Sequence, residues 1–286
     1  MRVASIQMAQ LHTPSPDHFL ERIAQFTRMA GEYGADFVCF PEHFTLQTLS
    51  ATPGLAANEA MDQLSDLTDT LKDTLSYLAR KHRIHIIGGS HMDYDEGGVV
   101  RNTSWFAQRD GQLVAQTKIH PTPDERDVWE MEGGDKLGVI DTDCGPVGIT
   151  ICYDSEFPEL GRRLADGGAL TVFVPYMTEM EAGHWRVTHC CQARAIENQS
   201  FMVTAGMTGM VAGVVNCDMA YARSRIITPC DTPFARGGIA AEATVNCEEM
   251  ILADLDLVAL EAARRHGAVR NLGDRRSDLY AVNWRG

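Results

Sequence analysis

No stretch of the 286 residues approaches the roughly 20 consecutive apolar positions that a membrane-spanning helix requires. The eight cysteines contain no C-x-x-C pair, and Cys190 and Cys191 are adjacent. They therefore outline neither a disulfide framework nor a zinc site, and reduced thiols in a cytoplasmic protein are the simplest account. Basic residues are in short supply, 25 Lys and Arg against 39 Asp and Glu. The resulting net charge of −14 disfavours nucleic acid and anionic membrane as partners. The first ten residues, MRVASIQMAQ, hold one basic residue and read as a strand with polar breaks, not as the apolar core of a signal peptide. No linker composition interrupts the chain, so residues 1–286 are expected to form a single domain.

What the chain does contain is an alternation of strands and helices. Arg2 to Met8 reads as a buried strand. Ser15 is a candidate N-cap with Pro16 at the first helical position. Phe19, Leu20, Ile23, Phe26, Met29, Ala30 and Tyr33 then fall on one helical face, which ends at Gly34. Asp36 to Phe40 is a second buried strand, stopped by Pro41, with Glu42 just past its end. Residues 59–83 carry a leucine stripe (Leu64, Leu67, Leu71, Leu75, Leu78), and Ile84 to Ser90 reads as the next strand. A hairpin follows from residue 99 through the turn Arg109-Asp110-Gly111, its second strand ending at Lys118. Residues 119–136 read as a loop. Leu137–Asp141 and Val147–Ile151 read as a strand pair, followed by a helix over 158–166, a strand over 170–175, a helix over 182–198 and a strand over 201–207. Strands near 223–228, 239–245 and 250–254 and a helix over 256–266 complete the pattern.

The strand–helix–strand unit occurs twice with similar joints. RVASIQM leads through a helix and Gly34-Ala35 to DFVCFP; VGITICY leads through a helix and Gly168-Ala169 to LTVFVP. Continuous apolar runs mark strands buried on both faces. Two such units predict a four-layer α-β-β-α sandwich of two mixed sheets, an α/β fold. Strand ends are where α/β sheets place their ligands, so Glu42, Lys118 and Cys152 are expected at one rim. Cys152 stands where a strand gives way to a helical turn. Nearby backbone N–H groups there are expected to favour its thiolate.

Glu42 in FPEHF, Lys118 in TKIHPTP and Cys152 in ICYDSEFPE resemble the Glu-Lys-Cys triad of the nitrilase superfamily, the carbon–nitrogen hydrolases. The resemblance extends over nearly the whole chain, through RAIENQSFMVTAGMTG (194–209), SRIITPCDTPF (224–234), DLDL (254–257) and RRSDLY (275–280). It implies the same sandwich fold, a homodimer or larger homo-oligomer, and no metal or organic cofactor. It also implies a second glutamate near the triad, for which Glu125 is the best match, with Glu130 and Glu132 as rivals.

The roles implied are nucleophile for Cys152, general base for Glu42 and oxyanion partner for Lys118, aided by the backbone N–H of Tyr153. Tyr153, Tyr176, Met177 and Trp185 are candidates for shaping the substrate pocket, and His120 for lining it. His184, His189, Cys190 and Cys191 do not share one helical face and are set aside as a metal site. Arg194, Glu197 and Asn198 read as structural or interface residues. The CYDSEFPE context resembles the amidase-type branches, which implies a small linear amide or N-carbamoyl substrate. Nitrile hydrolysis by the same triad, a non-catalytic binding or assembly relative, and a Cys–His hydrolase of another fold are the alternatives.

Overall fold

Alternate side chains of a strand point to opposite faces, and the first strands of this protein use that alternation to serve two cores. In the computed structural model, which describes residues 1–285, strand β1 (Arg2–Gln10) and strand β2 (Phe37–Cys39) run parallel. Val3, Phe37 and Cys39 face a second sheet, whereas Ala4, Val38 and Phe40 face helices α1 (Pro16–Glu32) and α2 (Ala57–His82). On that outer side Phe19 and Ile23 of α1 and Leu67, Leu71 and Leu75 of α2 cover the sheet, all fully or almost fully buried.

The first sheet continues from β2 to β3 (His85–Ile87) in parallel and to β5 (Val100–Ala107) antiparallel. Strands β4 (His91–Tyr94) and β6 (Leu113–Thr117) both pair with β5, and β12 (Glu249–Asp254) pairs with β1. The second sheet comprises parallel β7 (Val147–Ile149), β8 (Thr171–Tyr176) and β9 (Phe201–Gly209), extended by antiparallel β10 (Arg225–Ile227) and β11 (Ile239–Glu242). Its outer face is covered by α4 (Pro158–Asp166) and α5 (Glu181–Asn198), through Leu160, Leu164, Val187 and Cys191. The inner faces meet at Phe37 and Phe173, whose rings lie 5.2 Å apart, and through Ser5 Oγ, which donates to the Thr204 carbonyl at 2.7 Å. Helix α6 (Leu257–His266) follows β12. This is the α-β-β-α sandwich. The sheets are joined, however, because Met8–Gln10 of β1 pairs with Met207–Gly209 of β9. No helix among the described residues is long and apolar enough to cross a membrane.

Four local expectations change. Ser15 occupies the N-cap of α1, but its side chain makes no capping bond. The apolar run 84–90 is broken at Gly88-Gly89, so β4 is a separate strand. The presumed loop 119–136 contains a short helix, α3 (Pro123–Trp129), which begins at a Thr122 cap. Leu137–Asp141 forms only a single bridge, Ile140 to Val147, because a tight turn over Thr142–Gly145 diverts the chain.

The break at Gly88-Gly89 has a purpose beside the candidate site. Gly89 sits at φ +54°, and a Cβ there would lie 2.1 Å from the carbonyl oxygen of Pro41, the residue before Glu42. Gly89→Ala is expected to lower the unfolding free energy by at least about 2 kcal/mol, measured by urea denaturation. An unchanged midpoint would refute this close approach.

Candidate active site

Three strand ends deliver the central side chains. Strand β2 ends at Cys39, and Pro41 stops the run and presents Glu42; β6 ends one residue before Lys118; β7 ends three residues before Cys152. All three are almost wholly buried. The Lys118 Nζ lies 2.8 Å from Glu42 Oε1 and 2.7 and 2.8 Å from the two oxygens of Glu125. Glu125 is held by the start of its own helix. Its amide donates to Thr122 Oγ1 at 3.2 Å, and its Oε2 accepts from the Thr122 amide at 2.7 Å, a reciprocal capping box.

The two carboxylates have different surroundings. Glu125 Oε1 lies within 3.0 Å of Lys118 Nζ, His43 Nε2 and Asn102 Nδ2, while Oε2 takes Lys118 and the Thr122 amide. Its acceptor capacity is full. Glu42 Oε1 receives Lys118 and Asn102 Nδ2, and Oε2 accepts the Met177 amide at 2.9 Å. The Cys152 thiol points at the Met177 carbonyl, 3.6 Å away, so Met177 at the end of β8 touches both Glu42 and the sulfur.

Cys152 opens a 3-10 turn (Cys152–Glu156) with φ at +48°, an uncommon conformation for a residue with a Cβ. Ser155 Oγ donates to its carbonyl at 2.7 Å. Asp154 in the same turn accepts the amides of Ile119 and His120 at 3.1 and 2.8 Å, locking the turn to the segment after Lys118. His120 bonds Asp154 and stacks on Phe157 with ring centres 3.7 Å apart, outside the cavity wall.

Burial and neighbouring charge set the protonation states. Burial raises the Cys152 thiol well above its ordinary value, and the Glu42 carboxylate raises it further, against an opposing effect of Lys118. The expected backbone-stabilised thiolate is therefore not the resting form. Burial acts against the Lys118 charge, but Glu42 and Glu125 hold it above the ordinary lysine value. Burial likewise opposes ionisation of Glu125, yet Lys118 and His43 keep it below the ordinary carboxyl value. Ligand atoms of Glu42, His43 and Glu125 cluster as they would around a metal ion, but the two carboxylates are joined by the Lys118 ammonium.

A cavity of about 320 Å³ opens over this cluster, a size suited to a small ligand. Leu46, Met92, Trp129 and Met177 supply apolar wall, and Tyr153, Glu156 and Arg186 contribute polar groups. Of the pocket residues expected from sequence, Tyr153 and Met177 line it. Tyr176 does not: it is buried in the core, where its hydroxyl accepts from the Arg223 amide at 3.1 Å and meets His184 Nδ1 at 3.2 Å. Trp185 is also outside the lining, on the surface of α5 stacked against His189. Glu130 and Glu132 are exposed and stay clear of Lys118, as does the Arg194–Glu197 pair on α5, 2.6 Å apart. His43 and Asn102 are the additions. His43 was readable as the neighbour of Glu42, and Asn102 from hairpin arithmetic: the Asp110-Gly111 turn sets the register that puts residue 102 opposite 118.

Glu125 binds a proton less readily in the folded chain, so its contribution to stability is complete above its ordinary value of 4.5 and lost as pH falls below it. Glu125→Gln removes that contribution. The difference in unfolding free energy between parent and variant is expected to shrink from about pH 7 to about pH 3 in a urea series. A difference independent of pH would contradict the assignment.

The carbon–nitrogen hydrolase family model matches residues 2–265. A probable hydrolase of Bacillus subtilis is 39% identical over all of this chain, although the chain spans only 55% of that relative's length. An omega-amidase of Saccharomyces cerevisiae is 30% identical, covering 96% of this chain and 94% of its own. Among solved structures, the NitFhit protein of C. elegans superposes with a TM-score of 0.80 at 26% identity, over 98% of this chain and 66% of that one. The Saccharomyces cerevisiae Nit3 structure, a member of branch 10 of the nitrilase superfamily, gives 0.77 at 29% identity over 96% of each. With the family pattern running from the first strand to the last helix, this chain belongs to the carbon–nitrogen hydrolases of the nitrilase superfamily.

Proposed function

We propose that this protein hydrolyses a small linear amide or N-carbamoyl compound through a thioester on Cys152. The observation that carries this reading is the meeting of a protonated, buried thiol with Glu42 and Lys118 at the floor of one small cavity. The omega-amidase names of relatives favour an amide over a nitrile.

In this reading Glu42 takes the Sγ proton as sulfur bonds to the substrate carbonyl carbon. The carbonyl π pair moves to oxygen, and the oxyanion is met by the Lys118 ammonium and the Tyr153 backbone N–H. Collapse breaks the C–N bond, and the proton held on Glu42 leaves with ammonia or an amine. Glu42 then takes a proton from water, which attacks the thioester and releases the acid and the restored thiol. Glu125, already saturated with donors, keeps Lys118 charged and placed, whereas Glu42 is the carboxylate beside the sulfur.

The test is ammonia release from a panel of amides, N-carbamoyl amino acids and nitriles, with mass spectrometry of the intact chain for an acyl adduct. Cys152→Ala is expected to abolish both signals, and Glu42→Gln to slow turnover about 10²- to 10⁴-fold. Hydrolysis surviving in a folded Cys152→Ala protein would sink the mechanism.

A further inference from the structure

Asn102 is fully buried in β5, opposite Lys118, and its carbonyl accepts the Lys118 amide at 2.8 Å. Its side-chain nitrogen lies 3.1 Å from Glu42 Oε1, 3.0 Å from Glu125 Oε1 and 3.3 Å from His43 Nε2. Its Oδ1 is buried without a partner. The opposite rotamer of the amide would turn that oxygen toward two carboxylate oxygens, so the nitrogen faces the cluster and the oxygen bears the cost.

The geometry points to Asn102 as a positioning residue that orients the Glu42 carboxylate for proton transfer from Cys152. Lysine is a point charge on a flexible stem; it attracts both carboxylates and sets the plane of neither. The planar Asn102 amide carries two N–H groups in fixed directions, one for each carboxylate. With Glu42 Oε1 engaged by Lys118 and Asn102, Oε2 is turned toward Met177, whose carbonyl also receives the thiol. This inference rests on the reading of Glu42 as the base.

The experiment compares the full-length protein with Asn102→Ala and Asn102→Asp, the latter keeping the side-chain shape while replacing the donor. Asn102→Ser stands in for any variant that lacks a cooperative thermal transition. Two readouts are taken: kcat and KM against pH on an amide that the parent hydrolyses, and the rate of Cys152 modification by iodoacetamide. The latter is followed on the Cys152 peptide, because Cys230 and Cys247 are exposed and also label.

Loss of the donor is expected to lower kcat about 10- to 100-fold with KM within about threefold. The acid limb of kcat/KM moves to higher pH, because a carboxylate deprived of a donor holds its proton more tightly. Cys152 modification near neutral pH slows about tenfold. A fall in kcat with an unmoved limb and an unchanged modification rate would assign Asn102 a purely structural role and overturn the inference. If the parent hydrolyses nothing and matches Cys152→Ala, the hydrolase reading fails, and equal modification rates in parent and variants would separately dispose of the positioning role.

Discussion

A lysine ammonium with 1% of its side chain exposed, enclosed by two carboxylates, is the interaction on which the site depends. Removing a charge from water costs several kcal/mol, and the cost is offset only where geometry is good and the remaining hydrogen-bonding capacity is met. Here Lys118 closes on three carboxylate oxygens within 2.8 Å, and each carboxylate is completed by other donors: the Met177 amide, the Thr122 amide, Asn102 and His43. These donors come from the turn after β2, from β5, from the start of α3 and from the end of β8. The ion cluster is thus held mainly by elements of the first sheet, and the Met177 amide ties it to the second.

The same burial acts on the Cys152 thiol. A thiol buried beside a carboxylate keeps its proton, so a carboxylate and a protonated sulfur stand side by side. Other buried cysteines share the effect of burial but not the Glu42–Lys118 pair: Cys191 and Cys217 are pushed up to about 12 and do not line the cavity. What separates Cys152 from them is the carboxylate and ammonium beside it, not intrinsic acidity. The 3-10 turn with its left-handed first residue serves this arrangement by aiming the sulfur back at the end of β8.

Much of the fold was readable from local pattern. The apolar runs and the Gly-Ala joints mark strands and helices because periodicity reflects the faces a segment must bury. Glu42 and Lys118 were readable because each stands immediately past such a run. Helix α3 was missed because seven residues with one proline and four charges carry little periodicity, although Thr122-x-x-Glu125 is a capping signature. Tyr176 and Trp185 were misdirected because nearness to a strand end in sequence does not say which way a side chain points. Tyr176 faces the outer helix layer, and Trp185 the outer surface of α5.

By itself the sequence determined the alternation of elements, the strand ends at which Glu42, Lys118 and Cys152 stand, and the family those motifs mark. These depend on residues within a few positions of one another, where backbone preference and burial pattern act directly. Only the tertiary structure decided that one carboxylate is saturated while the other faces the thiol, that the thiol rests protonated, and that Asn102 and His43 belong to the cluster. Those outcomes depend on distances between groups 60 to 82 residues apart, such as Lys118 and Glu42 or His43 and Glu125. Burial and charge act through space, and no local pattern encodes them.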